Sequence, residues 1–373
     1  MINVLLLGPY IGKGSFGGVA NYNKLLIKNM PADKVRIIYF SLGKSPNWYR
    51  GKNPPKYMNF YFNHVYKLIK FILTLKFDKI DVVHIQSTFS RLSFLRMGVF
   101  SFFSKISCKP TIFFIRGWKP KEEKIIRDSL IWKILIFNFL SSFDKVGVLS
   151  NEFQIFLEKK IGLQNVFLSS TMVEIENYVL DSKSYEAPYE ILFCGTMFKE
   201  KGVFELLDSV KSVVSFEKKV RFTFMGDGPE LKHITKYAKR LGIENYVNFI
   251  GYKEDEEKYA IYKRSHMLIL PSYTEGFPNV VCEAMASGLA IIGTKTGGII
   301  DAIENGVNGY LLDSIPADPS EISNKVIKIV SEKSKLSQMG NTNFDISKKT
   351  YDARIGSKNI SQIYLSLINH LKI

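Results

Sequence analysis

Hydrophobic residues follow two patterns that alternate along the chain. Short, continuous apolar runs are separated by longer amphipathic stretches such as Val203–Ser215 and Pro229–Leu241. Apolar runs without polar alternation are typical of strands that are covered on both faces of a parallel sheet. The alternation therefore predicts an α/β fold with parallel sheets. The predicted strands are Asn3–Leu7, Val35–Phe40, Val82–Ile85, Thr111–Ile115, Lys145–Leu149, Glu190–Cys194, Arg221–Met225, Val247–Ile250, Met267–Leu270 and Ala290–Gly293.

The periodic pattern fades between Phe167 and Tyr189, where the chain becomes polar. We expect the interdomain linker there, because 373 residues are about twice the length of a typical single domain. Two Rossmann-like domains, 1–170 and 186–351, would then face a cleft at the carboxyl ends of their strands. A last helix, 352–373, is expected to pack back on the first domain.

The composition is that of a globular protein, with 46% hydrophobic and 23% charged residues, which excludes global disorder. The longest apolar stretches, Met97–Ser104 and Ile134–Phe143, stop well short of the roughly 18 residues that suggest a membrane span. The N-terminus lacks the basic region of a signal peptide and predicts a buried strand. Cys108, Cys194 and Cys282 have no metal-ligand spacing, and their odd number argues against a disulfide framework.

Positive charge is concentrated in the first half of the chain. Residues 1–180 carry 26 basic and 11 acidic side chains, a net charge of +15, whereas the remainder carries 25 and 24, a net of +1. Such a bias favours an anionic partner, and nucleic acid, anionic lipid and an acidic substrate are the candidates.

The loop Gly12–Gly18 matches the GxGxxG pattern between a strand and a helix. A dinucleotide site also needs an acidic residue at the end of the second strand, but that strand ends in Tyr39-Phe40-Ser41. A Walker A loop is excluded because Gly14 stands where Ser or Thr is required. Two interpretations remain open: backbone amides that approach a phosphate or sugar, or a tight turn between strand and helix.

A second loop, Gly195–Gly202, follows a predicted strand and ends in Lys201-Gly202 at a helix start. A cation beside the free amides of a helix N-terminus suits a diphosphate, although a solvated charged loop has the same composition.

A third segment places Glu275 in a loop and Glu283 eight positions later, inside the following helix. The helix N-terminus between them offers amides to an anion. Two carboxylates at such a site suit a hydroxyl-rich ligand, since each accepts hydrogen bonds from sugar hydroxyls. A capping acid and a salt-bridged helix acid are the alternative.

The three segments together resemble the signature of retaining family 4 glycosyltransferases. The resemblance covers most of residues 190–313 and is weaker in the first half of the chain, where Gly17-Gly18 and Asp81–His84 carry it. The matching motifs, in the family's order, are Phe193–Gly202, Met225–Glu230, Glu275–Gly288, Gly297-Gly298 and Asn305–Gly309.

The resemblance implies a GT-B fold and a nucleotide-sugar donor bound mainly by the second domain. Lys201 would hold the diphosphate and stabilise the leaving nucleotide, Glu275 would bind the hydroxyls of the donor sugar, and Glu283 would bind the ribose. Lys201 and Glu275 are thus the implied catalytic residues. The implied donor-binding residues are Gly18, Thr196, Gly276, Phe277, Pro278, Asn279, Val280 and Glu283.

Two positions depart from the family pattern. Thr196 stands where the family has an arginine, and Lys199 is our candidate for a replacement cation. Arg116-Gly117 stands where the family has His-Gly, which places Arg116 and His84 on the acceptor side and predicts a different acceptor or donor position. His84 is also explained as a structural histidine at a strand end.

The resemblance therefore implies a retaining hexosyltransferase that needs neither a metal nor a cofactor and acts in glycan or polysaccharide biosynthesis. Its partners would be a nucleotide-diphosphate sugar and a saccharide or lipid-linked acceptor, with no nucleic acid. A nucleotide-sugar epimerase of the same fold and a nucleic-acid-binding protein are the alternatives.

Localisation is expected to be cytoplasmic or peripheral on the inner face of the membrane. Three stretches of the first half interleave Lys and Arg with bulky apolar residues: Tyr57–Phe77, Arg91–Lys109 and Lys121–Phe143. Such stretches suit helices at an anionic membrane surface. Ordinary helices that pack on the first sheet have the same pattern.

Overall fold

The structure, a computed structural model, describes residues 1–12, 17–42, 57–118, 120–179 and 183–370, with the backbone alone at 57–64, 120 and 370. Residues 13–16 of the first glycine loop lie outside the described residues. The chain divides into two compact units, which are Met1–Ser170 together with Ala353–Ile373, and Thr171–Asp352.

The first unit contains a sheet of six parallel strands in the order β2-β1-β3-β4-β5-β6. Its strands are β1 Ile2–Gly8, β2 Val35–Ser41, β3 Val82–Thr88, β4 Thr111–Gly117, β5 Lys145–Val148 and β6 Val166–Leu168. Its helices up to that point are α1 Gly18–Lys28, α2 Tyr57–Phe77, α3 Arg91–Ile106, α4 Pro120–Asp128, α5 Leu130–Ser141 and α6 Asn151–Ile155.

The two faces of this sheet differ in chemistry. One face forms a continuous apolar core with α2, α3 and α5, in which Leu5, Ile85 and Phe113 of the strands meet Phe71 and Met97 of the helices. Because successive strand residues point to opposite faces, the residues between them lie on the other side of the sheet. The polar residues on that other side include His84, Gln86 and Arg116.

The segment in which we expect the linker, from Phe167 to Tyr189, starts inside a short strand. Val166–Leu168 form the edge strand β6, which pairs with β5. Three half-exposed residues are too short to give a periodic pattern, so the local sequence alone does not reveal this strand.

The second unit contains another sheet of six parallel strands, in the order β12-β11-β10-β7-β8-β9. Its strands are β7 Tyr189–Cys194, β8 Val220–Met225, β9 Val247–Gly251, β10 Met267–Leu270, β11 Ala290–Thr294 and β12 Gly309–Leu312. Its helices are α7 Val203–Phe216, α8 Leu231–Leu241, α9 Asp255–Arg264, α10 Asn279–Ala286, α11 Gly298–Ala302, α12 Pro319–Ser331 and α13 Lys333–Ile346.

The last helix, α14 Ala353–His370, belongs to the first unit, as the sequence predicted. It packs beside α1 and β3 on the polar face of the first sheet. Its Tyr364 is fully buried there, and the hydroxyl lies 2.7 Å from Nδ1 of His84.

Candidate functional site

The candidate site of the second unit lies where the strand order of its sheet reverses. β7 and β10 are neighbours in the sheet although two strands and three helices separate them along the chain. Connections from these two strands proceed in opposite directions, and ligands of open α/β sheets bind at such a point, beyond the carboxyl ends of the strands. Lys201 follows β7 and Glu275 follows β10.

The two loops are fixed against each other by backbone contacts. Gly202 has a φ of 72°, and a Cβ at this position would lie 2.1 Å from the carbonyl oxygen of Pro271, so only glycine fits. The amide of Tyr273 donates a 2.8 Å hydrogen bond to the carbonyl of Glu200. Lys201 is therefore held beside the loop that carries Glu275.

Lys201 and Glu275 form an ion pair, with 2.5 Å between Nζ and Oε1. Their side chains are 28% and 11% exposed, so the pair remains within reach of a ligand. The adjacent N-terminus of α10 has Pro278 at its cap, no side-chain cap and no acid in its first turn. Its partial positive charge adds to that of Lys201.

A third loop, after β11, fixes the backbone around Glu275. Gly297 has a φ of 50°, and a Cβ there would lie 2.2 Å from the carbonyl oxygen of Glu275. The amide of Gly298 donates a 2.6 Å hydrogen bond to the carbonyl of Gly276, and a Cβ on Gly298 would lie 2.2 Å from the ring of Phe277. These close approaches explain the glycine pair that the sequence analysis singled out.

Glu283 lies one turn inside α10 and is 3% exposed. Its Oε1 is 2.5 Å from Nζ of Lys258 on α9, whereas Oε2 has no hydrogen-bond partner among the described residues. Burial would lower the pKa of Lys258, but the Glu283 carboxylate, together with Cys194 and Tyr259, raises it above its usual value. The buried carboxylate therefore has one neutralised oxygen and one that can accept from a ligand hydroxyl.

The other predicted donor residues surround this centre. Two backbone hydrogen bonds hold the loop of Thr196 against the loop that follows β8. The amide of Met197 donates to the carbonyl of Asp227 at 3.0 Å, and its carbonyl accepts from the amide of Glu230 at 3.0 Å. The Asn279 side chain accepts a 2.5 Å hydrogen bond from the hydroxyl of Thr171. Val280 lies in the first turn of α10, and Lys199 is exposed in the turn that precedes Gly202.

Arg116 and His84 lie together in the first unit, on the polar face of its sheet. The Arg116 guanidinium lies 3.5 Å from the ring centroid of Tyr22, and both Arg116 and His84 flank Phe114. Burial, together with the charge of Arg116, lowers the pKa of His84 to about 3, so the imidazole is neutral. Gly18 is the first residue of α1 in the same unit.

Sequence reasoning missed Lys258 and the tyrosines near Glu283, which are Tyr178 and Tyr262. What marks the tyrosines is burial beside Glu283. For example, burial and the Glu283 charge raise the pKa of Tyr178 well above its usual range. A single lysine within a helix belongs to no recognisable sequence motif, so only the fold reveals that Lys258 pairs with Glu283. Among the described residues, no group of three or more His, Cys, Asp and Glu side chains is arranged to hold a metal ion.

Comparison with known proteins agrees with this geometry. Residues 175–345 match the family Glycosyl transferases group 1. An uncharacterized glycosyltransferase of Methanocaldococcus jannaschii is 24% identical over 358 residues, which cover 94% of this chain and 95% of that relative. The capsular polysaccharide biosynthesis glycosyltransferase CapM of Staphylococcus aureus is 25% identical over 206 residues, 53% of each chain.

The solved structures that resemble this chain show the fold. The structure of Anabaena Alr3699/HepE in complex with UDP and glucose has a TM-score of 0.72 at 18% identity and covers 98% of this chain and all of that one. A sucrose-phosphate synthase of Thermosynechococcus elongatus has a TM-score of 0.78 at 14% identity and covers 99% of this chain. Residues 175–345 thus match a glycosyl transferases group 1 domain, and the chain as a whole has the GT-B fold of these glycosyltransferase structures.

Proposed function

We propose that the protein is a retaining, metal-independent glycosyltransferase that moves a hexosyl unit from a nucleotide-diphosphate sugar to a saccharide or lipid-linked acceptor in glycan biosynthesis. The observation that carries this proposal is the arrangement at the switch point of the second sheet. Two carboxylates, Glu275 and Glu283, each meet a lysine there at 2.5 Å, beside an uncapped helix N-terminus.

Each group in this arrangement has a counterpart in a nucleotide-diphosphate sugar. The diphosphate is an anion that suits Lys201 and the amides at the start of α10. When it pairs with Lys201, the carboxylate of Glu275 becomes available to the hydroxyls of the donor sugar. The unpartnered Oε2 of Glu283 suits a ribose hydroxyl. The UDP and glucose bound by the Anabaena protein have the same chemistry.

Electrostatic stabilisation of the leaving group would supply most of the rate. The bond between the anomeric carbon and the phosphate oxygen breaks, and negative charge develops on the diphosphate near Lys201 and α10. The acceptor hydroxyl attacks from the face that the diphosphate leaves and forms the new bond to the anomeric carbon. Its proton passes to the departing phosphate oxygen, so no separate base is needed and the configuration is retained.

Product analysis tests this proposal. Purified protein is incubated with UDP-, GDP- and ADP-sugars and a panel of saccharide and lipid-linked acceptors, and the anomeric proton of the product is observed by NMR. We expect an α-linked product from an α-linked donor, formed at an unchanged rate in excess chelator. An inverted product contradicts retention, and activity that only Mg²⁺ or Mn²⁺ restores contradicts metal independence. Free sugar and nucleotide without acceptor favour the epimerase.

We also propose that the first unit docks on an anionic membrane. Among the described residues, no helix is both long enough and apolar enough to cross a bilayer. However, α3 lies between α2 and α5, and all three helices expose large apolar side chains. These exposed side chains are Val65, Tyr66, Ile69, Leu73, Phe77, Leu92, Leu95, Val99, Phe102, Ile106, Leu130, Ile131, Ile134, Leu135 and Phe137.

The charge of this exposed helical surface complements anionic lipid. α2, α3 and α5 contain lysines and arginines but no acidic residue. Apolar side chains can enter between headgroups while each cation contributes about 1 kcal/mol near an anionic leaflet. A lipid-linked acceptor requires an enzyme at that surface.

Vesicle sedimentation tests the docking. We expect binding to phosphatidylglycerol vesicles but not to phosphatidylcholine vesicles, and weaker binding in high salt. The double variant Leu95→Gln/Phe102→Gln should bind less, whereas Phe216→Gln, on an exposed apolar residue of the second unit, serves as the matched control. No binding at low salt, or equal binding by both variants, would contradict the proposal.

A further inference from the structure

A buried cation of the first unit, Arg116, has two nitrogens without a hydrogen-bond partner among the described residues. Arg116 lies at the carboxyl end of β4, where the pairing with β3 shifts register between Ser87 and Thr88. Arg116 is the residue without a partner in this register, as the extra residue of a β-bulge is. Arg116 is only 8% exposed, and its Nε and Nη1 are buried without a hydrogen-bond partner among the described residues.

Aromatic rings support the guanidinium but do not neutralise it. Arg116 stacks 3.5 Å above the ring centroid of Tyr22 and 4.8 Å from that of Phe114. No carboxylate in the described ranges contributes to the pKa of Arg116, which burial lowers to about 10. The side chain is therefore charged at neutral pH and lacks the anion that buried arginines ordinarily have.

Further unpartnered polar groups lie on the same face of the sheet. Gln86 is 4% exposed, pairs in register with Phe114, and has no hydrogen-bond partner for either atom of its amide among the described residues. Two residues earlier on β3, Nε2 of His84 is also unpartnered there.

The partner of His84 determines what Nε2 can do. Burial raises the pKa of Tyr364 well above its usual range, so its hydroxyl keeps its proton and can donate to Nδ1 of His84. The neutral imidazole then carries its own proton on Nε2, which makes this atom a donor. Arg116, Gln86 and His84 thus supply buried donors on one face.

We propose that Arg116, with Gln86, binds an oxyanion, a carboxylate or a phosphate, that is carried by the sugar acceptor. A buried charge without a partner destabilises the fold, whereas a guanidinium can form two parallel hydrogen bonds to either oxyanion. The location also fits, because the carboxyl ends of β3 and β4 are where an α/β sheet binds ligands. The identity of the ligand as acceptor rests on the proposed function; the presence of an oxyanion site does not.

A purely structural Arg116 makes the opposite predictions. If stacking on Tyr22 were its role, a neutral replacement would lower the melting temperature and anions would bind equally well to both proteins. If Arg116 is a binding residue, the replacement abolishes the rise in melting temperature that the anion causes in the wild type. Thermal shift measures this rise, and titration calorimetry measures the affinity for the anion.

The probes are inorganic phosphate, glucuronate and, as the neutral control, glucose. We compare the wild type with Arg116→Gln, with Arg36→Gln on an exposed residue of β2, and with Lys201→Ala in the second unit. Phosphate or glucuronate should raise the melting temperature of the wild type, Arg36→Gln and Lys201→Ala. The affinity of Arg116→Gln should be tenfold to a hundredfold weaker, as expected for a charge-assisted hydrogen bond. A response to phosphate alone, or to glucuronate alone, identifies the group on the acceptor.

Equal affinity of Arg116→Gln and the wild type, or no response to either anion, overturns the proposal. Loss of the response in Lys201→Ala with retention in Arg116→Gln also overturns it, because the anion then binds at the other unit. Failure of the proposed function would appear differently. UDP-sugars would give no thermal shift, while anion binding at Arg116 would remain.

Discussion

The cations at the candidate sites of the two units differ in their partners. In the second unit Lys201 and Lys258 each lie 2.5 Å from a carboxylate oxygen, whereas among the described residues Arg116 of the first unit contacts aromatic rings and forms no ion pair with a carboxylate. A lysine that is paired with a carboxylate does not destabilise the fold, and it can exchange that carboxylate for an anionic ligand when the ligand binds. An unpaired cation weakens the fold until an anion binds. The comparison implies that, without ligand, the binding groups of the second unit form ion pairs with each other, whereas Arg116 of the first unit is a charge without an ionic partner among the described residues.

The largest effect is expected at Glu283. Glu283→Gln leaves Lys258 without its carboxylate and should cost about 3 kcal/mol of unfolding free energy, as for a buried pair that loses one partner. It should also raise the donor KM more than it lowers kcat, since the ribose is remote from the bond that breaks. Chemical denaturation and steady-state kinetics measure the two effects.

The matched control for Glu283→Gln is Glu257→Gln. Glu257 pairs with Lys253 at 3.0 Å, but the acid is 70% exposed. Exposed pairs contribute about 0.5 kcal/mol, so this variant should be nearly as stable as the wild type. Equal losses in both variants would show that the burial of Glu283 has no energetic consequence.

Lys201→Ala should lower kcat by about tenfold to a hundredfold, the equivalent of 1.5–3 kcal/mol in one charge-assisted contact. Lys199→Ala is the natural comparison, because Lys199 lies in the same turn and is our candidate for the missing arginine. A comparable loss in Lys199→Ala would support that role. Activity within twofold of the wild type in both Lys201→Ala and Glu275→Gln would refute the catalytic assignment.

Acid should destabilise the protein through its buried histidines. Burial lowers the pKa of His84 to about 3 and that of His266, in the second unit, to about 4. The unfolded chain binds their protons at higher pH, so the stability that each contributes is complete above about pH 6.5 and is lost as the pH falls toward the folded pKa. Between about pH 6.5 and 5 the loss is about 1.5 kcal/mol per histidine. Unfolding of His84→Gln should depend less on pH by that amount, and an unchanged dependence would contradict the burial of a neutral His84.

The smallest expected effect is at Arg116, where a substitution should raise the unfolding free energy rather than lower it as at Glu283. Arg116→Met should raise the unfolding free energy by about 1 kcal/mol, since removal of an unpaired buried charge outweighs the lost stacking on Tyr22. Denaturation in anion-free buffer measures it. A loss of stability would show that the aromatic rings satisfy the charge and would erase the contrast between the units.

The sequence predicted the strands that position both regions, because continuous apolar runs such as Met267–Leu270 need only local information. It did not predict which polar residues would meet. Every residue of β3 from Val82 to Ser87 is buried, so its pattern does not show that His84 and Gln86 share a polar face. The pairing of Lys258 with Glu283 depends on how α9 packs beside α10, which neither motif nor spacing encodes. β12 was missed because it has only four residues and begins at the last glycine of the Asn305–Gly309 motif.

The central claim is that the paired carboxylates of the second unit bind a nucleotide sugar. The most direct test is a thermal-shift panel of UDP-, GDP- and ADP-glucose on the wild type and Glu283→Gln. Ligand that binds only the folded protein raises its stability by about 2.7 kcal/mol at a hundredfold excess over Kd. We predict that at least one nucleotide sugar raises the melting temperature of the wild type and that Glu283→Gln loses most of this rise. No shift with any donor, or an equal shift in both proteins, would contradict the account.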